Sequence, residues 1–148
     1  MPRSLKVAIF AGLLAGTIDI AAACLINWVT PAPILRVIAS GLIGRHAVHG
    51  GPWIVALGLI LQWMMSILIA AVFVLAAGKA SMLRRRWVLA GIGYGSVVFA
   101  VMNFAVVPLS AAVIKVHFSP LSFAENLLAM WIFGLIIAHC VRHADDRH

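Results

Sequence analysis

Four long stretches of the chain are dominated by apolar residues and are separated by shorter segments that carry charges, prolines and glycines. They comprise residues 5–28, 53–77, 87–112 and 121–141. A helix needs about 20 mostly apolar residues to cross the hydrocarbon of a bilayer, so each stretch is predicted to be a transmembrane helix. Tryptophans typical of the membrane interface stand at three span ends, at Trp28, Trp53 and Trp87. The pattern predicts an all-α protein with a single domain of four transmembrane helices over residues 1–148.

The loop between the first two predicted spans has a helical pattern of its own. Pro33 can open a helix and Gly44 can close it, and the apolar residues between them recur at helical spacing. A short helix over about residues 33–44 is therefore predicted to lie along the outer surface of the membrane.

Composition agrees with a membrane protein and also predicts its orientation. The mean hydropathy is +1.11, with 64% hydrophobic and 10% charged residues, which lies outside the range of soluble globular chains. Eight lysines and arginines flank one side of the predicted spans, including the hinge at residues 78–86, against three on the other side. The positive-inside rule then places both termini and the hinge in the cytoplasm. Since most of the basic residues flank apolar spans, the net charge of +7 is not taken to indicate a nucleic-acid partner.

The N-terminus has some features of a signal peptide. Arg3 and Lys6 precede an apolar run, and the segment ending at Cys24 is similar to a lipoprotein cleavage site. However, Asp19 interrupts the apolar run and Ala21 stands where a larger aliphatic residue is usual. An uncleaved first helix is expected.

The two halves of the chain resemble each other. The segment 11–17 aligns with 90–96 at an offset of 79 residues, and the segment 49–52 with Trp63 aligns with 117–120 with Trp131 at an offset of 68. These matches predict a parallel repeat of two helical hairpins about an axis along the membrane normal, an arrangement known in transporters. Two short matches in so apolar a chain can also arise by chance.

Each half contains a small-residue motif, formed by Gly12 with Gly16 and by Gly91 with Gly95. Glycines four residues apart let two helix backbones approach closely in lipid. They are interpreted as packing faces within the protomer or an oligomer, the alternative being the lining of a ligand path.

Asp19 is the strongest functional signal, because a carboxylate inside an apolar helix is costly and by default marks a function. It shares a helix face with Gly16 and Gly12, so it is expected to face a neighbouring helix. Counted from the interfacial tryptophans, Asp19 and Gln62 fall at the same depth, roughly 13 Å below the outer interface. The alternative is structural: Asp19 bonded to Gln62, Thr17 or Asn103 would only lock helices together.

Further polar residues lie toward the outer half of the predicted bundle. Asn103, Glu125 and Asn126, together with Asp19 and Gln62, are predicted to line a polar vestibule that binds an ion or solute. For Glu125 the alternative is an interfacial carboxylate that reaches water or pairs with Lys115.

Three histidines, His46, His49 and His117, are predicted on the outer side as candidates for pH sensing, with ordinary loop histidines as the alternative. Their spacing does not specify a metal, and neither a metal site nor a cofactor is predicted. Cys24 and Cys140 fall near opposite membrane faces, which argues against a disulfide or shared metal site. Familiar enzyme motifs are absent from the sequence, and the protein is not expected to be an enzyme.

The second half carries a resemblance to a known family. Ala90-Gly91, Met102-Asn103-Phe104, Val107-Pro108-Leu109, Phe118-Ser119-Pro120 and Glu125-Asn126 together resemble the YagU-like group of small, uncharacterised bacterial inner-membrane proteins, over roughly residues 87–142. A histidine follows the Glu-Asn pair in that group, whereas this chain has Met130-Trp131 there. The resemblance implies an inner-membrane location and a loose association with acid tolerance, without an assigned activity.

Two functional hypotheses follow. The first is a small transporter or proton-linked membrane protein that uses Asp19 as the titrating or ion-binding group. The second is an accessory or assembly subunit that packs against a larger membrane complex through its glycine faces. Both expect the bilayer as solvent, and self-association or a larger complex as the protein partner.

Overall fold

The computed structural model describes residues 2–109 and 120–147, and this part of the chain is helical without any strand. The α-helices are α1 (Arg3–Asn27), α2 (Pro31–Ile43), α3 (Pro52–Lys79), α4 (Ser81–Arg85), α5 (Trp87–Val101), α6 (Val107–Leu109) and α7 (Pro120–Asp145). A 3-10 turn, Gly44–Ala47, follows α2, and a π-helical segment, Met102–Val106, joins α5 to α6. Helices long and apolar enough to cross a membrane cover Arg3–Asn27, Pro52–Lys79, Trp87–Val106 and Phe123–Ala144. The predicted all-α bundle with four membrane-spanning helices is confirmed.

Proline starts three of the helices, as its fixed φ and missing N–H favour at a first helical position. Pro31 opens α2, Pro52 opens α3 and Pro120 opens α7. At the other end of α1, Trp28 has a left-handed backbone with φ of 54° and caps the helix by donating its N–H to the carbonyl of Cys24. The hinge predicted at residues 78–86 is more ordered than a plain loop, because α3 continues to Lys79 and α4 follows almost at once.

The third span changes its helical geometry before Pro108. A proline inside a helix removes one hydrogen-bond donor and crowds the carbonyl four residues earlier. The wider π-helical turns of Met102–Val106 lie immediately upstream, where this disturbance must be absorbed. Residues 110–112, predicted as the end of this span, lie outside the described residues.

The bundle is built from two antiparallel hairpins. α1 packs along α3, α5 packs along α7, and α1 also packs along α7 to join the hairpins. The shared core is rich in small side chains, with Ala11, Ala15, Ala70, Ala77 and Ala138 all buried. Because lipid supplies no hydrophobic drive between helices, such small residues stabilise the bundle by allowing close packing. Arg3 donates a hydrogen bond to the carbonyl of Ala144, so both termini lie at one end of the bundle, here called the terminal end.

A helix does occupy the loop after α1, and it packs chiefly on α3. The backbone of Leu35 lies directly over Gly58, where a larger residue would leave no room. Arg36 Nε donates to the carbonyl of Gly50 at 3.1 Å, which links α2 to the start of α3. The helix begins at Pro31, two residues before the predicted start, and its position on the outer membrane surface stays a prediction.

Candidate functional site

The structure brings Asp19 and Gln62 together across the first hairpin. Gln62 Nε2 on α3 donates to Asp19 Oδ2 on α1 at a distance of 3.0 Å. Asp19 lies 16 residues after Arg3, roughly 24 Å along the helix, and about 12 Å before Asn27. The hydrogen bond therefore lies well inside the span, toward the end opposite the termini. Both side chains are half-buried.

The hairpin around this pair is held in register by small residues and a hydrogen bond between side chains. A Cβ added at Gly16 would lie 2.5 Å from the hydroxyl oxygen of Ser66, which is itself 2% exposed. One turn toward the termini, a Cβ at Gly12 would lie 2.5 Å from the Cα of Ile67. Trp63 Nε1 donates to Thr17 Oγ1 at 3.2 Å. These contacts set the depth at which Asp19 meets Gln62.

The second hairpin repeats these contacts at the offsets found in the sequence. Trp131 Nε1 donates to Ser96 Oγ at 2.8 Å, and these residues align with Trp63 and Thr17. Gly91 packs on the backbone of Leu135, as Gly12 packs on Ile67, its aligned counterpart at the same two offsets of 79 and 68 residues. The two hairpins therefore share packing geometry at matched positions.

The polar pair has an apolar counterpart in the second hairpin. The positions aligned with Asp19 and Gln62 are occupied by Val98 and Met130. Val98 is buried, and Met130 packs against the main core. A hairpin of this design therefore packs with two apolar residues at that depth, which indicates that the pair on α1 and α3 is not a requirement of the packing.

The contact between the hairpins is less symmetric. α1 packs closely along α7, whereas α5 reaches α3 through Tyr94, whose hydroxyl donates to the carbonyl of Ile69 at 2.6 Å and whose ring lies 5.0 Å from that of Phe73. The matched contacts concern each hairpin taken alone. The parallel repeat about a membrane-normal axis accordingly stays a prediction.

The other polar candidates have different surroundings. Asn103 lies in the π-helical segment and donates its side-chain amide to the carbonyl of Phe99 at 2.8 Å. This bond occupies an acceptor of its own helix, so Asn103 supports the widened turn. Glu125 and Asn126 are half-buried in the second turn of α7. Lys115, the alternative partner considered for Glu125, lies outside the described residues. A vestibule shared by all five residues stays a prediction.

The four candidate packing glycines are all buried between helices of the same chain. Gly12 and Gly16 face α3, and Gly91 and Gly95 face α7. A Cβ at Gly95 would lie 3.1 Å from the Cα of Trp131 and still closer to the carbonyl of Met130. These faces are occupied within the protomer, so an accessory subunit would have to dock through another surface.

The histidine candidates are only partly within the described chain. His46 lies in the 3-10 turn after α2 and His49 in the following loop, and both are exposed. His117 lies outside the described residues. Within residues 2–109 and 120–147, no group of three or more metal-ligating side chains comes together. Cys24 and Cys140 are free and half-buried.

Sequence reasoning missed several polar contacts. Ser66 and Tyr94 carry few sequence signals, because a single hydroxyl in an apolar helix is common and its partner depends on helix rotation. Arg3, Lys6 and Arg147 counted only toward orientation, although the structure gathers them around a groove between α1 and α7.

Comparison with known proteins adds no relative. No family model, curated protein or solved structure matches the chain. The resemblance to the YagU-like group stays an expectation, and the function is argued from the geometry alone.

Proposed function

We propose that the protein is a small multi-pass transporter or proton-linked membrane protein in which Asp19 is the titrating or ion-binding group. Four apolar helices support its being a membrane protein. The observation that carries the activity is the hydrogen bond between Asp19 and Gln62 inside the span, at a depth where the matched hairpin has only Val98 and Met130.

The cost of a carboxylate in a membrane helix supports a functional role. An acidic side chain at the centre of a membrane helix disfavours insertion by about 3 kcal/mol, while a hydrogen bond between helices returns only about 0.6 kcal/mol on average. The pair therefore costs more than it contributes to packing. Such a cost is retained where the group has a task.

The geometry suggests how the pair would act. The Gln62 amide donates to Oδ2, so a proton on neutral Asp19 would reside on Oδ1. Ionised Asp19 would instead offer Oδ1 to a small cation, while Gln62 holds the carboxylate in place. Gln62 is thus a positioning residue, and proton or cation uptake at Oδ1 is the proposed elementary step.

Proton or cation flux in proteoliposomes, measured across an outside pH of about 5 to 8, tests the proposal. Asp19→Asn keeps the shape and an acceptor for Gln62 but removes the titrating group, so we expect its flux to fall to the level of empty vesicles. Asp146→Asn is the matched control, because that exposed carboxylate pairs with Arg142 at 3.8 Å beyond the fourth span. Flux that persists in Asp19→Asn, or that is absent from the native protein under a range of cation gradients, would contradict the proposal.

For location, we propose the bacterial inner membrane with both termini in the cytoplasm. The support is the excess of lysine and arginine at the terminal end, where Arg3, Lys6 and the hinge arginines lie. Self-association remains part of the proposal. Its surface would be other than the glycine faces, which are covered within the chain.

A further inference from the structure

A groove of about 530 Å³ runs between α1 and α7 at the terminal end of the bundle. Its mouth carries Arg3 and Lys6 from one wall and His143 and Arg147 from the other. Among the described residues that line it, none is acidic. Asp146, next along the chain, is paired with Arg142 and lines a different hollow. The mouth is therefore a concentrated positive site, suited to a phosphate or another anionic group.

Below the mouth the groove becomes apolar. Phe10 and Leu14 line it on α1, and they are 64% and 39% exposed. At Leu14, His139 and Cys140 the groove meets a second hollow of about 320 Å³, whose deepest lining residue on α7 is Ile132. From His143 to Ile132 the helix spans roughly 16 Å, about half the thickness of a bilayer's hydrocarbon core.

This combination is specific to one kind of ligand. A soluble phosphate would need the cations but would gain nothing from an apolar channel of this length. A neutral lipid would fill the channel but leave the cations without a partner. An anionic phospholipid matches both parts, because its headgroup and its acyl chain have the same order along the membrane normal as the mouth and the channel.

We infer that the groove between α1 and α7 binds one anionic phospholipid, with its phosphate among Lys6, Arg3 and Arg147 and an acyl chain along Phe10 and Leu14. The site is separate from the Asp19 pair, which lies toward the opposite end, so the two proposals stand or fall independently. Arg3 also bonds to the carbonyl of Ala144, so it fixes the width of the groove as well as contributing charge.

The test is lipid retention by the purified full chain, measured by native mass spectrometry with equimolar phosphatidylglycerol and phosphatidylcholine of the same acyl chains. We expect one phosphatidylglycerol to be retained in preference to phosphatidylcholine. The variants are Lys6→Gln and Arg147→Gln, because both side chains are exposed and Arg3 is needed for the contact between helices. Each loss of charge should weaken retention about five-fold, and the double variant about 25-fold.

The matched control is Arg85→Gln, which removes one exposed positive charge at the same end, in a hollow lined by the hinge instead of by apolar helix faces. We expect its retention to equal that of the native chain. Equal loss in the Arg85 and Lys6 variants would overturn the proposal, since binding would then reflect diffuse surface charge.

A second arm separates a lipid from a free phosphate. Glycerol 3-phosphate at millimolar concentration should leave the retained phosphatidylglycerol in place, because it lacks the acyl chain. Displacement at that concentration would show that the mouth alone determines binding, and the lipid assignment would be wrong. Equal retention of the two lipids by the native chain would also refute it.

Discussion

Replacing the polar pair of the first hairpin by the residues of the second is the sharpest test of why Asp19 is there. The double variant Asp19→Val with Gln62→Met places at that depth the two side chains that the other hairpin already uses, Val98 and Met130. Both substitutions nearly conserve volume, so the packing of Gly16 on Ser66 should survive.

The expected magnitude follows from two opposing terms. Removing the hydrogen bond of 3.0 Å between Gln62 and Asp19 costs about 0.6 kcal/mol, the mean for such bonds in membrane proteins. Removing the carboxylate from the span relieves up to about 3 kcal/mol. The double variant is therefore expected to be more stable than the native chain by about 2 kcal/mol, and to have lost its flux.

Stability would be measured by reversible unfolding in mixed micelles, with flux measured on the same preparations in proteoliposomes. The single variants complete a double-mutant cycle, in which Gln62→Met alone should be the least stable because it leaves the carboxylate without its amide donor. A double variant less stable than the native chain by 2 kcal/mol or more would show that the pair is a structural lock, and the argument from the matched hairpin would fail.

Three further predictions concern the packing and the orientation. Gly95→Ala should destabilise the chain by about 1–3 kcal/mol, because its Cβ would meet the backbone of α7, whereas Gly93→Ala in the same helix has open space around it and should be neutral or stabilising by up to about 1 kcal/mol, as measured by unfolding. Trp131→Phe should lose the 2.8 Å bond to Ser96 and cost about 0.6 kcal/mol in the same assay, and no loss would mean that water or another group replaces the indole. Tags at both termini should be protected from protease in intact spheroplasts and cleaved after lysis; cleavage of either tag before lysis would refute the predicted orientation.

The comparison of the two hairpins also bears on the structural alternative for Asp19. If the carboxylate served only to lock helices, the second hairpin would lack its lock, yet α5 and α7 pack closely through Gly91, Gly95 and Gly134. Close packing is thus achieved by glycine. This leaves the polar pair available for binding, which is why the proposed function depends on it.

The sequence alone determined the class of the protein and the register of its hairpins. Span lengths follow from the thickness of the hydrocarbon, and they predicted four membrane helices over nearly the ranges that the structure has. Depth within a span follows from the fixed rise per residue of a helix, so Asp19 and Gln62 could be placed at one level by counting from Trp28 and Trp53. Even the matching of Trp63 with Trp131 was readable from the two offsets.

Only the tertiary structure decided which residues at one level touch. The rotation of a membrane helix is set by packing against its neighbours, and a chain that is apolar on nearly every face has little amphipathic pattern to specify it. For that reason counting could not distinguish Gln62, which meets Asp19, from Asn103, which bonds to its own helix at Phe99. The groove of basic residues between α1 and α7 was out of reach for the same reason. Its walls come from the two ends of the chain, and their contact exists only once the hairpins have packed.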